Sequence, residues 1–297
     1  SYRHDKENPS SLSYNPVNAI YEDAYGTLWV GTVEGGLNRK ERNSEDFTHY
    51  TREHGGLSHN SVSALTSDAD NHLWIGTWGG GLNLLDLKAP RQIQEVISSQ
   101  TSGGFPINFI GVLNYDPINK GIWIGANQGL YFYDPIKKEI TAPLPDKIAE
   151  NIHGCIGSII DKEGKLWVGC LEGVYIIDLH SRSSKGEFQY RHLNYKLDDP
   201  SSRLIEKITC FYEGKDGTLW LGSNGYGIYQ RKIDAQGKEQ FISYSTAQGL
   251  PNNSVRGILE DNNGNLWIST NNGLSCYHQA ENRFINYTIQ DLSLIHI

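Results

Sequence analysis

One short pattern recurs six times along the chain: Leu28-Trp29-Val30-Gly31-Thr32, Leu73-Trp74-Ile75-Gly76-Thr77, Ile122-Trp123-Ile124-Gly125-Ala126, Leu166-Trp167-Val168-Gly169-Cys170, Leu219-Trp220-Leu221-Gly222-Ser223 and Leu266-Trp267-Ile268-Ser269-Thr270. Successive Trp residues stand 45, 49, 44, 53 and 47 positions apart, the length of a four-stranded propeller blade, roughly 40–50 residues. A unit of that kind cannot bury both of its faces alone and has to stack on its neighbours. The 297 residues would by length alone suggest two domains. The repeat overrides that prior and predicts an all-β propeller of four-stranded antiparallel blades spanning residues 1–290, with 291–297 as a non-repeat tail.

The first copy shows how a blade is read. Val17-Asn18-Ala19-Ile20-Tyr21-Glu22 alternates as a strand, Asp23-Ala24-Tyr25-Gly26 turns, and Leu28 to Thr32 returns. Gly35-Gly36 turns again, Leu37-Asn38-Arg39 begins the third strand, and Phe47-Thr48-His49-Tyr50 makes the fourth. The turn before the Trp recurs as Asp23…Gly26, Asp161…Gly164 and Asp261…Gly264; Asp accepts backbone hydrogens where a turn starts, and Gly takes positive φ where it ends. Six Trp at equivalent positions express a repeated packing need, so these indoles are expected in the core. Asn15, Asn60, Asn108 and Asn253 recur before the first strand and are expected to form Asx turns.

Composition removes several functions. The charge balance is −8 and no basic stripe or run is present, so direct nucleic-acid binding by attraction to phosphate is not expected. No apolar run reaches the roughly 18 residues needed to cross a bilayer. Met is absent even at position 1, as in a segment taken from within a longer reading frame. Cys155, Cys170, Cys210 and Cys276 lack the close spacing of a zinc or redox motif. Cys155 and Cys170 would oppose each other across a plain two-residue turn, whereas a bulged turn with Gly164 left-handed would separate them. His49, His54 and His59 form the one local histidine cluster, a poor basis for zinc, and no metal or cofactor is expected. No nucleophile elbow or phosphate loop is present, so no catalytic residue is assigned.

The segments Asn60-Ser61-Val62…Asp68…Leu73-Trp74-Ile75-Gly76-Thr77…Gly79-Gly80-Gly81-Leu82 and Asn253-Ser254-Val255…Glu260-Asp261-Asn262-Asn263-Gly264-Asn265-Leu266-Trp267-Ile268 resemble the two-component regulator propeller repeat. The resemblance runs from about Tyr2 to Tyr287. It is weaker in the third copy, with one residue inserted before Trp123, and in the fifth, with Glu206-Lys207-Ile208 in place of Asn-x-Val and Gly214 at the Asp position. It implies the periplasmic sensor region of a hybrid two-component histidine kinase. That setting brings seven-bladed propellers, a second propeller, an immunoglobulin-like domain and kinase modules in the same longer chain, homodimerisation, and oligosaccharides from a glycan as ligand. No kinase module lies in these residues. Tyr2 to Val17 lines up with Tyr50 to Val62, and Ser293 to Ile297 looks like translated adapter sequence.

In an up-and-down blade, the loop after the second strand and the link from the fourth strand to the next blade emerge at one end, where rigid scaffolds place recognition. Trp78 and Tyr226 are the expected stacking residues there, with Glu34, Gln128, Glu172, Asn224 and Asn271 as partners for sugar hydroxyls. Two alternatives stay open. One is a protein-interaction or dimerisation propeller; the other is a propeller lyase or glycosidase, with Glu34 and Glu172 as candidate acid and base.

Overall fold

Each copy of the repeated pattern forms the second strand of a four-stranded antiparallel sheet whose strands are hydrogen-bonded in sequence order. The computed structural model describes residues 2–193, 207–288 and 291. It contains six such sheets, the blades of the expected all-β propeller. The first comprises Val17–Glu22, Leu28–Thr32, Leu37–Lys40 and Phe47–Tyr50. The others occupy residues 62–97, 110–141, 157–193, 208–244 and 255–287. Two compact units divide them: one holds the first three blades to Cys155 and takes in Ser183–Phe188; the other holds Ile156–Arg182 and the chain from Gln189 onward. Glu206 and the tail beyond Asp291 lie outside the described residues.

Within each unit the core sits at the joints between blades, and the strand-two glycine explains the joint. A Cβ on Gly31 would stand 2.6 Å from Cγ1 of Val62, one on Gly76 2.6 Å from Cγ2 of Ile110, and one on Gly222 2.7 Å from Cγ1 of Val255. At these joints the branched residue that opens the following blade is thus a knob seated in a glycine hole, and Val62, Ile110, Ile208 and Val255 are fully buried; before the fourth blade Cys155 takes that place against Gly125. A β-bulge just after the knob frees the next side chain to clasp the neighbour. Ser63 Oγ donates to the Ile110 carbonyl at 2.5 Å, and Thr209 Oγ1 to the Val255 carbonyl at 2.7 Å. In the first blade the knob Val17 is 39% exposed and Ile20 is 69% exposed.

The expected role of the Trp residues holds: five are buried and Trp267 is partly so. Burying an indole requires an acceptor for its N–H, and the turn Asp supplies it. Asp161 Oδ1 accepts from the amides of Glu163 and Lys165, while Oδ2 accepts from Trp167 Nε1 at 2.7 Å. The same bond joins Asp23 to Trp29, Asp68 to Trp74, Asp116 to Trp123 and Asp261 to Trp267. Gly214 places no carboxylate there in the fifth blade. Gly164 adopts φ +74°, and the bulged register it sets pairs Gly157 with Gly169. All four cysteines are free.

The four recurring asparagines correct their expectation. Their side chains do not form local turns but accept from amides seven to eleven residues earlier: His4 to Asn15, Arg52 to Asn60, Ser99 to Asn108 and Thr246 to Asn253. Each closes the link between blades from across its loop, a reach that a two-residue turn rule cannot foresee. The alignment of Tyr2–Val17 with Tyr50–Val62 recurs in the bonding, since Ser10 accepts from Phe47 as Gly55 does from Ile93.

Candidate functional site

The loops that follow the second strands are held by backbone groups and by a hydroxyl at the strand end. Thr77 Oγ1 donates to the Gly81 carbonyl at 2.9 Å and accepts from the Gly80 amide at 3.1 Å. Thr32, Ser223 and Thr270 repeat the donating bond. Gly81, at φ +78°, passes so close to the fourth strand that a Cβ would stand 2.4 Å from the Ile97 carbonyl.

Most of these loops are also pinned to the links between blades, so within each unit the two loop sets do share one end, as expected. In the first unit the Trp78 amide donates to Ser61, Gly79 to Asn108, Asn127 to Phe109 and Gly129 to Ile152. In the second, Asn224 donates to Lys207, Gly225 and Gly227 to Asn253, and Asn271 to Ser254. The loop backbone is thereby committed, and its side chains stand outward.

Among the predicted site residues, Glu34, Trp78 and Gln128 belong to the first unit and Glu172, Asn224, Tyr226 and Asn271 to the second. Trp78 is 52% exposed and pairs through an isolated antiparallel bridge with Phe109, also 52% exposed. Directly opposed residues project their side chains to one side, so two exposed aromatic side chains stand on one side of this bridge at the loop end, a platform set by backbone placement. Phe109 was not predicted. Its signal was a large aromatic at the place where the other copies carry Pro16, Ser61, Lys207 and Ser254.

Glu34 is exposed, and its hydrogen bond and charge raise the pKa of the neighbouring Tyr14 hydroxyl. Gln128 is exposed, with its carbonyl accepting from the Tyr131 hydroxyl at 3.0 Å. In the second unit the Glu172 carbonyl accepts from His192 Nε2 at 2.9 Å. Asn271 Oδ1 accepts from Arg256 Nε at 3.0 Å, so a guanidinium that the sequence reading did not select stands beside it. Asn224 and Tyr226 are exposed on one loop, and the apolar Leu171 and Ile156 at the ends of the preceding blade's strands are exposed as well.

The histidine cluster turns to its own backbone: His49 Nε2 bonds the Ser11 carbonyl and His59 Nδ1 accepts from the Ser61 amide. Among the described residues no three His, Cys, Asp or Glu side chains are placed to hold a metal ion. Nor is any helix among them long and apolar enough to cross a membrane.

Four segments, residues 11–34, 56–79, 204–225 and 249–272, match the model of the two component regulator propeller. They fall on the first, second, fifth and sixth copies; the fifth is therefore matched in spite of Gly214, while the third and fourth are not. No curated protein sequence matches the chain. Among solved structures, the extracellular domain of the putative hybrid two component system BT4673 from B. thetaiotaomicron superposes with a TM-score of 0.57 at 20% identity, over 96% of this chain and 42% of that one. The corresponding domain of BT3049 from the same organism gives a TM-score of 0.50 at 25% identity, over 98% and 43%. Virginiamycin B lyase from Staphylococcus aureus gives 0.63 at 16% identity, over 93% and 85%, a likeness of fold alone. The chain thus spans less than half the length of the extracellular domains it resembles.

Proposed function

From the two component regulator propeller repeats that this chain carries, we propose that it is a ligand-sensing part of the periplasmic region of a hybrid two-component histidine kinase, not itself an enzyme, that binds glycan-derived oligosaccharides and so regulates polysaccharide-utilisation genes. The observation that carries the ligand class is the Trp78–Phe109 platform. Aromatic faces stack on the C–H surfaces of a sugar ring, and exposed amides and carboxylates such as Gln128 and Glu34 match its hydroxyls. A second propeller, an immunoglobulin-like domain and kinase modules of the longer chain would be its partners, with homodimerisation of the whole receptor. Val17 and Ile20, exposed where their counterparts Val62 and Leu113 are buried, support a further blade against the first one, as in a seven-bladed propeller.

Calorimetric titration with a panel of oligosaccharides tests the reading, with product analysis alongside. Saturable binding without turnover, weakened at least about tenfold (roughly 1.4 kcal/mol) by Trp78→Ala and by Phe109→Ala, is expected. Binding that neither substitution changes would move the ligand elsewhere. A second reading, docking of a protein partner, draws on Leu171 and Ile156, apolar and exposed at the loop ends of the second unit. It gains if no sugar binds.

A further inference from the structure

Most of the framework indoles carry a flat group from an outer strand or a long loop. Tyr50 lies against Trp29 at 5.9 Å between centroids, Tyr244 against Trp220 at 5.8 Å, and Tyr287 stacks on Trp267 at 5.6 Å. These three tyrosines are equivalent, each paired with the residue that opens, or nearly opens, its blade's third strand: Leu37, Ile228 and Leu274. Elsewhere Phe188 meets Trp123 at 5.0 Å, and the Arg231 guanidinium lies over Trp167 at 5.1 Å.

The second blade breaks this rule. Opposite Leu82 stands Ile97, not tyrosine, and among the rings of the described residues Trp74 meets Tyr133 of the following blade alone, edge-on at 5.8 Å. A cavity of 490 Å³ opens beside them, bounded by Trp74, Ile97 and Tyr133 and wholly within the first unit. Its volume is in the range of small-molecule sites, roughly 300–1,000 Å³.

The rim says what kind of molecule fits. His72 Nδ1 lies 3.0 Å from Asp68 Oδ2; a carboxylate can only accept, so Nδ1 carries a proton, and in the neutral tautomer that this bond selects Nε2 is an acceptor. The carboxylates of Asp70 and Glu95 add acceptors, Gln94 and Thr101 bring groups that both accept and donate, and one ammonium, Lys138, stands against them. In the first blade the equivalent phenol ends on an acceptor too, the Tyr50 hydroxyl donating to the Pro90 carbonyl at 2.6 Å.

We propose that this cavity is a binding site for a small aromatic compound bearing hydrogen-bond donors, a phenol or aromatic amine, whose ring occupies the place that tyrosine fills in the first, fifth and sixth blades. The site is independent of the loop-end platform and does not rest on the sensor reading.

Tyramine, with p-cresol and phenethylamine to separate the phenol from the amine, is the probe. Indole N–H signals of the protein are followed by NMR during titration, the Trp74 signal being identified by its loss in Trp74→Phe. The expected result is a saturable shift of the Trp74 signal in the millimolar range or below. Ile97→Tyr, which supplies the missing ring from the chain itself, should weaken tyramine binding at least tenfold and raise the melting temperature. His72→Ala, at a partly exposed position, should weaken it several-fold. N-acetyl-tyrosine methylamide shifting the signal where tyramine does not would assign the cavity to a peptide's tyrosine and overturn the small-molecule proposal. An unmoved Trp74 signal with all probes, or wild-type affinity in folded Ile97→Tyr, would overturn it outright.

Discussion

Replacing Gly76 by alanine tests the knob-and-hole account of the blade joint. The new Cβ would lie 2.6 Å from Ile110 Cγ2, 3.1 Å from Ile110 Cβ and 3.3 Å from Leu113 Cδ1, whereas carbon atoms rest at about 3.5–4.0 Å. The second and third blades must separate by about 1 Å, or Ile110 must leave its rotamer. Ile110 is fully buried, and its carbonyl is held by Ser63, so retreat also strains that hydrogen bond. Overpacking costs about 1–3 kcal/mol and the strained bond about 1 kcal/mol; a loss of about 2–4 kcal/mol is expected. Ile110→Ala alone should cost about 2–5 kcal/mol. Combined with Gly76→Ala it should cost less than the sum by about 1–2 kcal/mol, because the knob that clashes is gone. Urea denaturation followed by tryptophan fluorescence measures all three. Ser269, which already carries a Cβ at the equivalent place in the sixth blade, serves as control, Ser269→Ala being near neutral. A Gly76→Ala variant within about 0.5 kcal/mol of wild type, or strict additivity in the double variant, would refute the joint.

Two further outcomes follow from turns and charges. Lys120 sits at φ +54° in the turn where other blades place Gly26, Gly164 and Gly264; Lys120→Gly should therefore stabilise by about 1 kcal/mol, and a lower denaturation midpoint would contradict the strain argument. Burial would raise the Glu239 pKa, but hydrogen bonds and charge from Arg191 and Arg231 outweigh it and hold the carboxyl below its ordinary 4.5. A depressed folded-state pKa means that the stabilisation is full above the unfolded value and lost as pH falls through the folded one. The stability gap between wild type and Glu239→Gln should thus be widest near neutrality and shrink below about pH 4.5. A gap that does not change with pH would remove the ion pairs from the account.

Alternation, turn residues and the spaced Trp made the blades legible, because each is a local property that repeats. What the sequence hid was set by partners remote along the chain. That Asp161 would receive Trp167 Nε1 was within reach of local reasoning, since both flank one turn. The Phe188 ring on Trp123 and the Arg231 guanidinium on Trp167 were not, because each comes from beyond the next strands. At the loop end, Trp78 stood out as a Trp outside the framework. Its partner Phe109 emerged once the link and the loop were seen paired across two blades. Ile97 carries no local signal, because what sets it apart is that its counterparts in other blades are tyrosines.

The loops after the second strands are fastened by their own amides and carbonyls, with a threonine or serine at the strand end of the first, second, fifth and sixth blades as the chief side-chain fastener. Changes at the outward positions therefore leave the fastenings untouched. A lineage built this way can change the chemistry it presents by drift at a few tips, and selection for a new surface need not compete with selection for folding.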